Sequence, residues 1–362
     1  MIKILFSIDG LRSGGKERRF VSLIKKISKS RKFKCELVCF NEHVHYKEIF
    51  NFKVKIHFIP RKNKWNLISF IKYFNIIRKF QPHLVHSWDT LSTLYSIIPS
   101  KVLKIYLLTS KITDAPINYN KNSKYGIASQ ICFKYSNLIL SNSNAGIKSY
   151  KVPISKSKVI YNGFDFDRKD ENKLNLKVFE KYNFKKKYIV CMIANFNKNK
   201  DFNTFFNAAK IVRKKFKNIV FIAVGDGPLR KEFNFSEKDG VYMLGKTNDV
   251  ESVINLCDIG VLMTDNNEHG EGISNSLMEF MAFNKPVIAS DNGGNSELIE
   301  NNISGIIIKE NNPELLAAQV INLVENKKHR ELIGFNAGQR IKERFSIDIM
   351  FQNFISIYNQ FK

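Results

Sequence analysis

Paired cysteines, long apolar runs and, in its first half, acidic residues are scarce or missing in this 362-residue chain. The five cysteines (Cys35, Cys39, Cys132, Cys191, Cys257) are odd in number, scattered and without a CxxC pair, which argues against a disulfide framework or a zinc site and fits a reducing compartment. No apolar run reaches the ~18 residues of a membrane-spanning helix. The opening MIKILFSIDG holds one Lys and a short apolar run, which suits a buried first strand better than a secretory leader. With 18 Gly and 8 Pro the chain is not of low complexity, and 30 Phe with 13 Tyr are too many for a disordered one. The expectation is a cytoplasmic globular protein of about two domains.

The missing acids are unevenly missing. Residues 1–165 hold 30 Lys and Arg against 8 Asp and Glu, a net +22, whereas residues 166–362 hold 28 against 25, a net +3. A cationic first half attracts polyanions, either nucleic acid or anionic lipid headgroups. Residues 61–80 bear on that choice. Leu67, Phe70, Ile71, Phe74 and Ile77 recur there at helical spacing, with bases at both ends, which is the pattern of an interfacial helix. The same stripe also suits an ordinary helix facing its own core.

Short apolar strands alternate with helices through the first half: Ile2–Ile8, a helix from about Gly15, CELVCF, VKIHFI, the helix above, HLVHS, VLKIYLLT and NLILS. After a charged stretch at about 165–187 the pattern restarts with YIVCMIA, a helix over 201–216, IVFIAVGDG, VYMLG, DIGVLM, a helix near 274–283, PVIAS and GIIIK. Residues 313–362 read as helices. This predicts two doubly wound, parallel-sheet, Rossmann-like domains facing across a cleft. Their bounds are 1–165 for the first domain and 166–345 for the second. A helix over 346–362 would pack back on the first domain. Ligands in such folds bind beyond the carboxyl ends of the strands, so chemistry-bearing motifs should follow strands.

Four motifs do. Ser13-Gly14-Gly15 follows the first strand and opens a helix, where backbone amides can meet an anion. Gly225-Asp226-Gly227-Pro228 follows an apolar strand as a tight turn whose glycines can face a nucleotide. Asn195, Lys198 and Lys200 follow YIVCMIA, which sets a cation where a diphosphate could be neutralised. Glu271 and Glu279 bracket a loop entering a helix. Amides near Ile273, Ser274 and Asn275 can there meet a phosphate while the carboxylates accept bonds from hydroxyls, the order of groups in a nucleotide sugar. His86 also ends a strand and could act beside Asp89, although a lone His is more often structural.

The order of GG, YNGFD (161–165), strand-then-Lys200, GDGPLR, VYMLG and EGISNSLMEFMAFNKPVIAS resembles the retaining family-four glycosyltransferases of the GT-B fold, of the bacterial surface-polysaccharide type. The resemblance spans nearly the whole chain, and the two glutamates eight apart are its most specific part. It implies that Glu279 binds the donor ribose, that Glu271 lies at the donor hexose, and that Lys200 contacts the diphosphate. The family often has Arg where Asn195 stands, and often His after the strand where this chain reads Thr109-Ser110-Lys111. Lys111 is therefore an acceptor-side candidate by position, with His86.

The function expected is transfer of a sugar, with retention, from a nucleoside-diphosphate sugar to a hydroxyl of a glycan or lipid-linked acceptor. Catalysis would rest on Glu271 and Lys200. Donor contacts would come from Gly15, Asn195, Lys200, Gly225, Ile273, Ser274, Asn275 and Glu279, with neither cofactor nor metal. The cationic domain would rest on the anionic inner face of the membrane, and nucleic acid is not expected as a partner. Two rivals stand beside this reading: a nucleotide-sugar epimerase of the same fold, and a basic nucleic-acid-binding protein supported only by the +22 half.

Overall fold

The computed structural model describes residues 1–61, 66–169, 184, 187–235 and 237–361. Most of the charged stretch at 165–187, and residues 62–65 of the amphipathic stretch, lie outside these residues. The chain divides into unit 1, Met1–Gly163 with Ile347–Lys362, and unit 2, Phe164–Ser346.

Unit 1 is built on a seven-stranded sheet of β1 (Ile2–Ile8), β2 (Phe33–Cys39), β3 (Lys55–Phe58), β4 (Leu84–Ser87), β5 (Tyr106–Ile112), β6 (Leu138–Ser141) and β7 (Ser157–Val159). Every pairing is parallel, in the order β3-β2-β1-β4-β5-β6-β7, so the winding direction reverses between β1 and β4. Five helices of this unit are α1 (Gly15–Ser28), α2 (Leu67–Phe80), α3 (Thr90–Val102), α4 (Lys124–Tyr135) and α5 (Asn144–Ser149).

Unit 2 carries six parallel strands: β8 (Tyr188–Ile193), β9 (Ile219–Val224), β10 (Val241–Gly245), β11 (Ile259–Leu262), β12 (Val287–Ser290) and β13 (Ile306–Ile308). Their order is β10-β9-β8-β11-β12-β13. Its helices are α6 (Phe202–Lys215), α7 (Val250–Leu256), α8 (Asn275–Ala282), α9 (Asn295–Leu298), α10 (Pro313–Glu325) and α11 (Lys327–Arg344). The chain then returns to unit 1 as α12 (Ile347–Tyr358).

The period of two along a strand explains why the unit 1 sheet is apolar on both faces. Ile4, Phe6 and Ile8 of β1 join one core cluster with α1 and α12, while Leu5 joins a second cluster with α2 and α3. The same split places Leu37 and Cys39 of β2 on the first face and Val38 on the second. On the first face α12 is held by ring packing. Phe354 and Tyr358 meet His86 at centroid distances of 5.7 and 5.8 Å, and Lys26 Nζ donates to Asp348 Oδ1 at 2.5 Å.

Three local readings are corrected. VLKIYLLT is not one strand: Val102 closes α3, Lys104 turns with φ 54°, and β5 begins only at Tyr106 and runs on to Ile112. The short β7 and the helices α3, α4 and α5 carry no signal that the sequence reading used. The apolar stripe of α2 is also not a single face. Tyr73, Ile77 and Phe80 are buried and Phe70 and Phe74 half-buried, whereas Leu67 and Ile71 point outward. No helix among the described residues is long and apolar enough to cross a membrane.

Candidate active site

The carboxyl ends of β8, β11 and β12 carry a connected polar assembly. Beyond β8, Asp201 caps α6 by accepting from Thr204 N at 2.9 Å, while its own N–H donates to Met263 O at 3.0 Å. Lys200 forms an isolated backbone bridge with Thr264. Backbone on either side of Lys200 is thus pinned to the end of β11, and its ammonium is delivered to the Glu271 carboxylate as an ion pair. Thr264 Oγ1 donates to the same Oε1 at 2.8 Å.

Glu271 is itself fixed from behind. Its N–H donates to Asn292 Oδ1 at 2.7 Å and its carbonyl accepts from Gly294 N at 2.9 Å. Gly293 between them has φ 53°, and a Cβ there would stand 2.1 Å from Glu271 O, so only glycine fits. Asn292 Nδ2 ties the rest of the loop by donating to His269 O at 2.8 Å. Burial pushes the Glu271 carboxyl up, but the charge and hydrogen bond of Lys200, with smaller help from His269 and Thr264, outweigh it and hold the group below the usual carboxylate range.

Three residues further on, Ser274 caps α8, and its hydroxyl accepts from Leu277 N at 3.5 Å. Ile273 is buried beneath the cap, and half-buried Asn275 opens the helix. Glu279, in the second turn, is buried rather than part of a solvated face. It accepts from Arg168 Nη2 at 2.9 Å, and the same guanidinium reaches Glu251 Oε1 at 2.6 Å and lies over the Phe164 ring at 5.1 Å.

Asn195 is exposed just past β8. Gly225, with φ 143°, lets the loop after β9 lie directly on it: a Cβ there would meet Ala194 O at 1.9 Å, and Phe196 N donates to Asp226 O at 3.1 Å. Close packing of these two loops is thus a sufficient reason for that glycine.

In unit 1, Gly15 is the exposed first residue of α1, and the Tyr46 hydroxyl donates to Gly14 O at 3.1 Å. Beside it, where the winding reverses, Asp9 N donates to Asp89 Oδ2 at 2.6 Å, Arg61 pairs with Asp9, and Lys16 Nζ stands 3.9 Å from Asp89. Burial opposes the charge on Lys16, yet Asp89 and Glu17 outweigh it and lift the ammonium above its usual range.

The two acceptor-side candidates do not reach that edge. His86 is fully buried, with Nδ1 2.7 Å from the Tyr358 hydroxyl and Nε2 2.7 Å from Ser110 Oγ. Burial, and then the Arg19 charge, hold it well below its usual pKa. Asp89 is not its partner but the cap of α3, accepting from Ser92 N at 2.8 Å. Lys111 is buried too, donating to Ser129 Oγ at 2.8 Å among the rings of Tyr150, Phe133 and Tyr125 at 4.6, 4.9 and 5.0 Å. Both are core residues, and the expectation that they face an acceptor is corrected accordingly.

Arg168, Thr264 and Asn292 escaped the sequence reading. Only Asn292 left a signal, the Gly pair that follows it after a strand. Among the described residues no group of three or more His, Cys, Asp or Glu could hold a metal ion.

Residues 176–340 match the family model of the glycosyl transferases group 1. An uncharacterised glycosyltransferase of Methanocaldococcus jannaschii is 30% identical over 193 residues, 52% of this chain and 48% of that protein, so the chain spans about half of that relative's length. The capsular polysaccharide biosynthesis glycosyltransferase CapM of Staphylococcus aureus is 23% identical, covering 84% of this chain and 85% of its own. The N,N'-diacetylbacillosaminyl-diphospho-undecaprenol alpha-1,3-N-acetylgalactosaminyltransferase of Campylobacter jejuni is 25% identical, covering 84% and 82%. Among solved structures, Anabaena Alr3699/HepE in complex with UDP and glucose superposes with a TM-score of 0.84 at 17% identity, covering 99% of this chain and 100% of that one. Residues 176–340 are thus similar to the glycosyl transferases group 1, and over its whole length the chain has the GT-B fold, with two parallel-sheet units.

Proposed function

We propose that the protein transfers a sugar, with retention, from a nucleoside-diphosphate sugar to a hydroxyl of a lipid-linked glycan acceptor during surface polysaccharide synthesis, working at the inner face of a membrane. The observation that carries this reading is the joining of Lys200, Glu271 and the capped amino end of α8 in one loop layer beyond the strands of unit 2. Lys200 and the α8 amides supply positive charge for a departing diphosphate. Glu271 offers a fixed acceptor for hexose hydroxyls, and Glu279, oriented by Arg168, does the same for the ribose. The neutralising charge comes from these groups, with no cofactor or metal needed. The relatives support the acceptor class: one is named for a diphospho-undecaprenol substrate and another for capsular polysaccharide synthesis.

The test is unfolding of the purified protein with UDP, GDP, their sugar conjugates and a short oligonucleotide, followed by turnover with the stabilising donor. One nucleotide should stabilise selectively, by about 2.7 kcal/mol at 100 times its dissociation constant. Lys200→Ala should lower turnover by about 100-fold or more, the size of effect seen when one charge-stabilising group is removed from an active site. Near-normal turnover in that variant would remove Lys200 from catalysis, and stabilisation by the oligonucleotide alone would overturn the transferase reading.

A further inference from the structure

We propose that the outward face of α2, α3 and α4 is the surface by which unit 1 docks on an anionic lipid bilayer. This deepens the reading of a lipid-linked acceptor and rests on it for its biological sense, though not for its physics.

The three helices cover the same side of the sheet. Tyr73 and Ile77 of α2 and Tyr95 and Ile97 of α3 share one core cluster with Leu5, Val38 and Val85, and α3 lies against both α2 and α4. With those faces buried, the opposite ones should be polar, but they are not. Leu67, Ile68 and Ile71 of α2 stand outward, as do Ile98 and Val102 of α3 and Ile127 and Ile131 of α4, from 38% (Ile131) to 72% (Leu67) exposed. The apolar part of each crest is bordered by exposed bases: Lys72, Arg78 and Lys79 on α2, Lys101 on α3, and Lys124 and Lys134 on α4.

None of the three helices contains an Asp or a Glu. Between Glu48 and Asp165 the sequence has 18 Lys and Arg but only two carboxylates, Asp89 and Asp114. Both are engaged within the fold, Asp89 as the cap of α3 and Asp114 as acceptor for the Tyr150 hydroxyl at 2.9 Å. A protein surface facing only water mixes the two signs and scatters its aliphatic residues. A face of one sign with an aliphatic crest matches the boundary between anionic headgroups and acyl chains, which takes up both parts. Nucleic acid would satisfy the bases but leave the aliphatic crest without a partner, and a second copy would set two cationic faces against each other.

The experiment is co-sedimentation of the full chain with vesicles of phosphatidylcholine alone and of phosphatidylcholine with phosphatidylglycerol, at low and physiological salt. Only the anionic vesicles should retain the protein, and salt should weaken the retention. Replacing Ile71→Glu and Ile98→Glu together should lower the partition coefficient by about tenfold or more. Leu332→Glu, an equally exposed site on α11 of unit 2, should leave it unchanged. Stabilisation by whichever of UDP and GDP protects the wild type, retained in the double variant, shows that the fold and the donor site survive, so vesicle binding and donor binding fail separately. No retention by anionic vesicles at low salt, equal retention by both kinds, or retention untouched by the double substitution would each overturn the proposal. So would a dimer of the wild type that the same substitutions dissociate.

Discussion

Lys200 and Glu271 neutralise each other in a largely buried setting, so removing either one strands the other's charge. Glu271 then makes its own contribution to the pH dependence of stability. Its folded-state pKa lies below the ordinary carboxylate value of about 4.3, so between the two values the unfolded chain binds more protons. The stability it contributes is full above about pH 4.3 and is lost as pH falls through the folded pKa. The stability gap between wild type and Glu271→Gln, measured by urea unfolding, should therefore narrow on acidification below that point; a pH-independent gap would show that the charge is not the stabilising feature. Lys111 titrates at the opposite end of the scale. Burial brings its ammonium down to about 8, so from there to the ordinary value of about 10.4 the unfolded chain again holds more protons. Its share of stability rises with pH across that window, and Lys111→Met should abolish the rise.

Among the elements, α12 has the most to hold together, because it supplies part of the core of a unit whose other segments end at Gly163. Phe354 is fully buried between Trp88 and His86, and Phe354→Ala should cost about 3–5 kcal/mol in chemical unfolding. Tyr358→Phe removes only the bond to His86 Nδ1 and should cost about 1 kcal/mol. A much smaller loss in the first variant would mean that the helix is not part of the cooperative core.

Elements with a clear apolar signature were legible in the sequence: β1 and β10 fall where their apolar runs lie, and α1 starts at the glycine that opens it. β7 is three residues with no apolar run. α3 is buried on several sides and carries Pro99, so it has no polar face to give it a period. The same physics divides the site. Glu271, Lys200 and Ser274 could be named because strand ends and helix starts leave local marks. Arg168 could not, since one base in a short 3₁₀ turn reads like any solvated one until Glu251 and Glu279 are folded around it. His86 shows the limit of position as a guide: the end of β4 puts it near the functional edge, but its side chain goes into the core.

At the scale of the whole molecule, the charge and the candidate chemistry are separated between the two units. Residues 1–165 carry a net +22, and the Lys200–Glu271 assembly belongs to unit 2. Both tryptophans, Trp65 and Trp88, fall within the unit 1 segment Met1–Gly163, so indole fluorescence follows unit 1 while circular dichroism follows both units. If the donor site lies in unit 2, as proposed, the nucleotide that stabilises the protein should move the dichroism transition upward and the fluorescence transition less. Equal shifts of the two would show that the units unfold as one.

The return of the chain to unit 1 also sets an order of events during synthesis. Domains usually complete themselves in the order in which they are made, but here the first half emerges without the helix that covers Phe6, Trp88 and His86. Residues 164–346 intervene, and at 5–20 residues per second the ribosome needs roughly 10–40 s to deliver them. For that interval unit 1 waits with an uncovered aromatic face, and unit 2 has all of its segments before unit 1 does. The earliest-made part of a new chain is thus the last to be covered, and a stop codon anywhere before residue 347 leaves unit 1 unfinished however much of the sequence has been made.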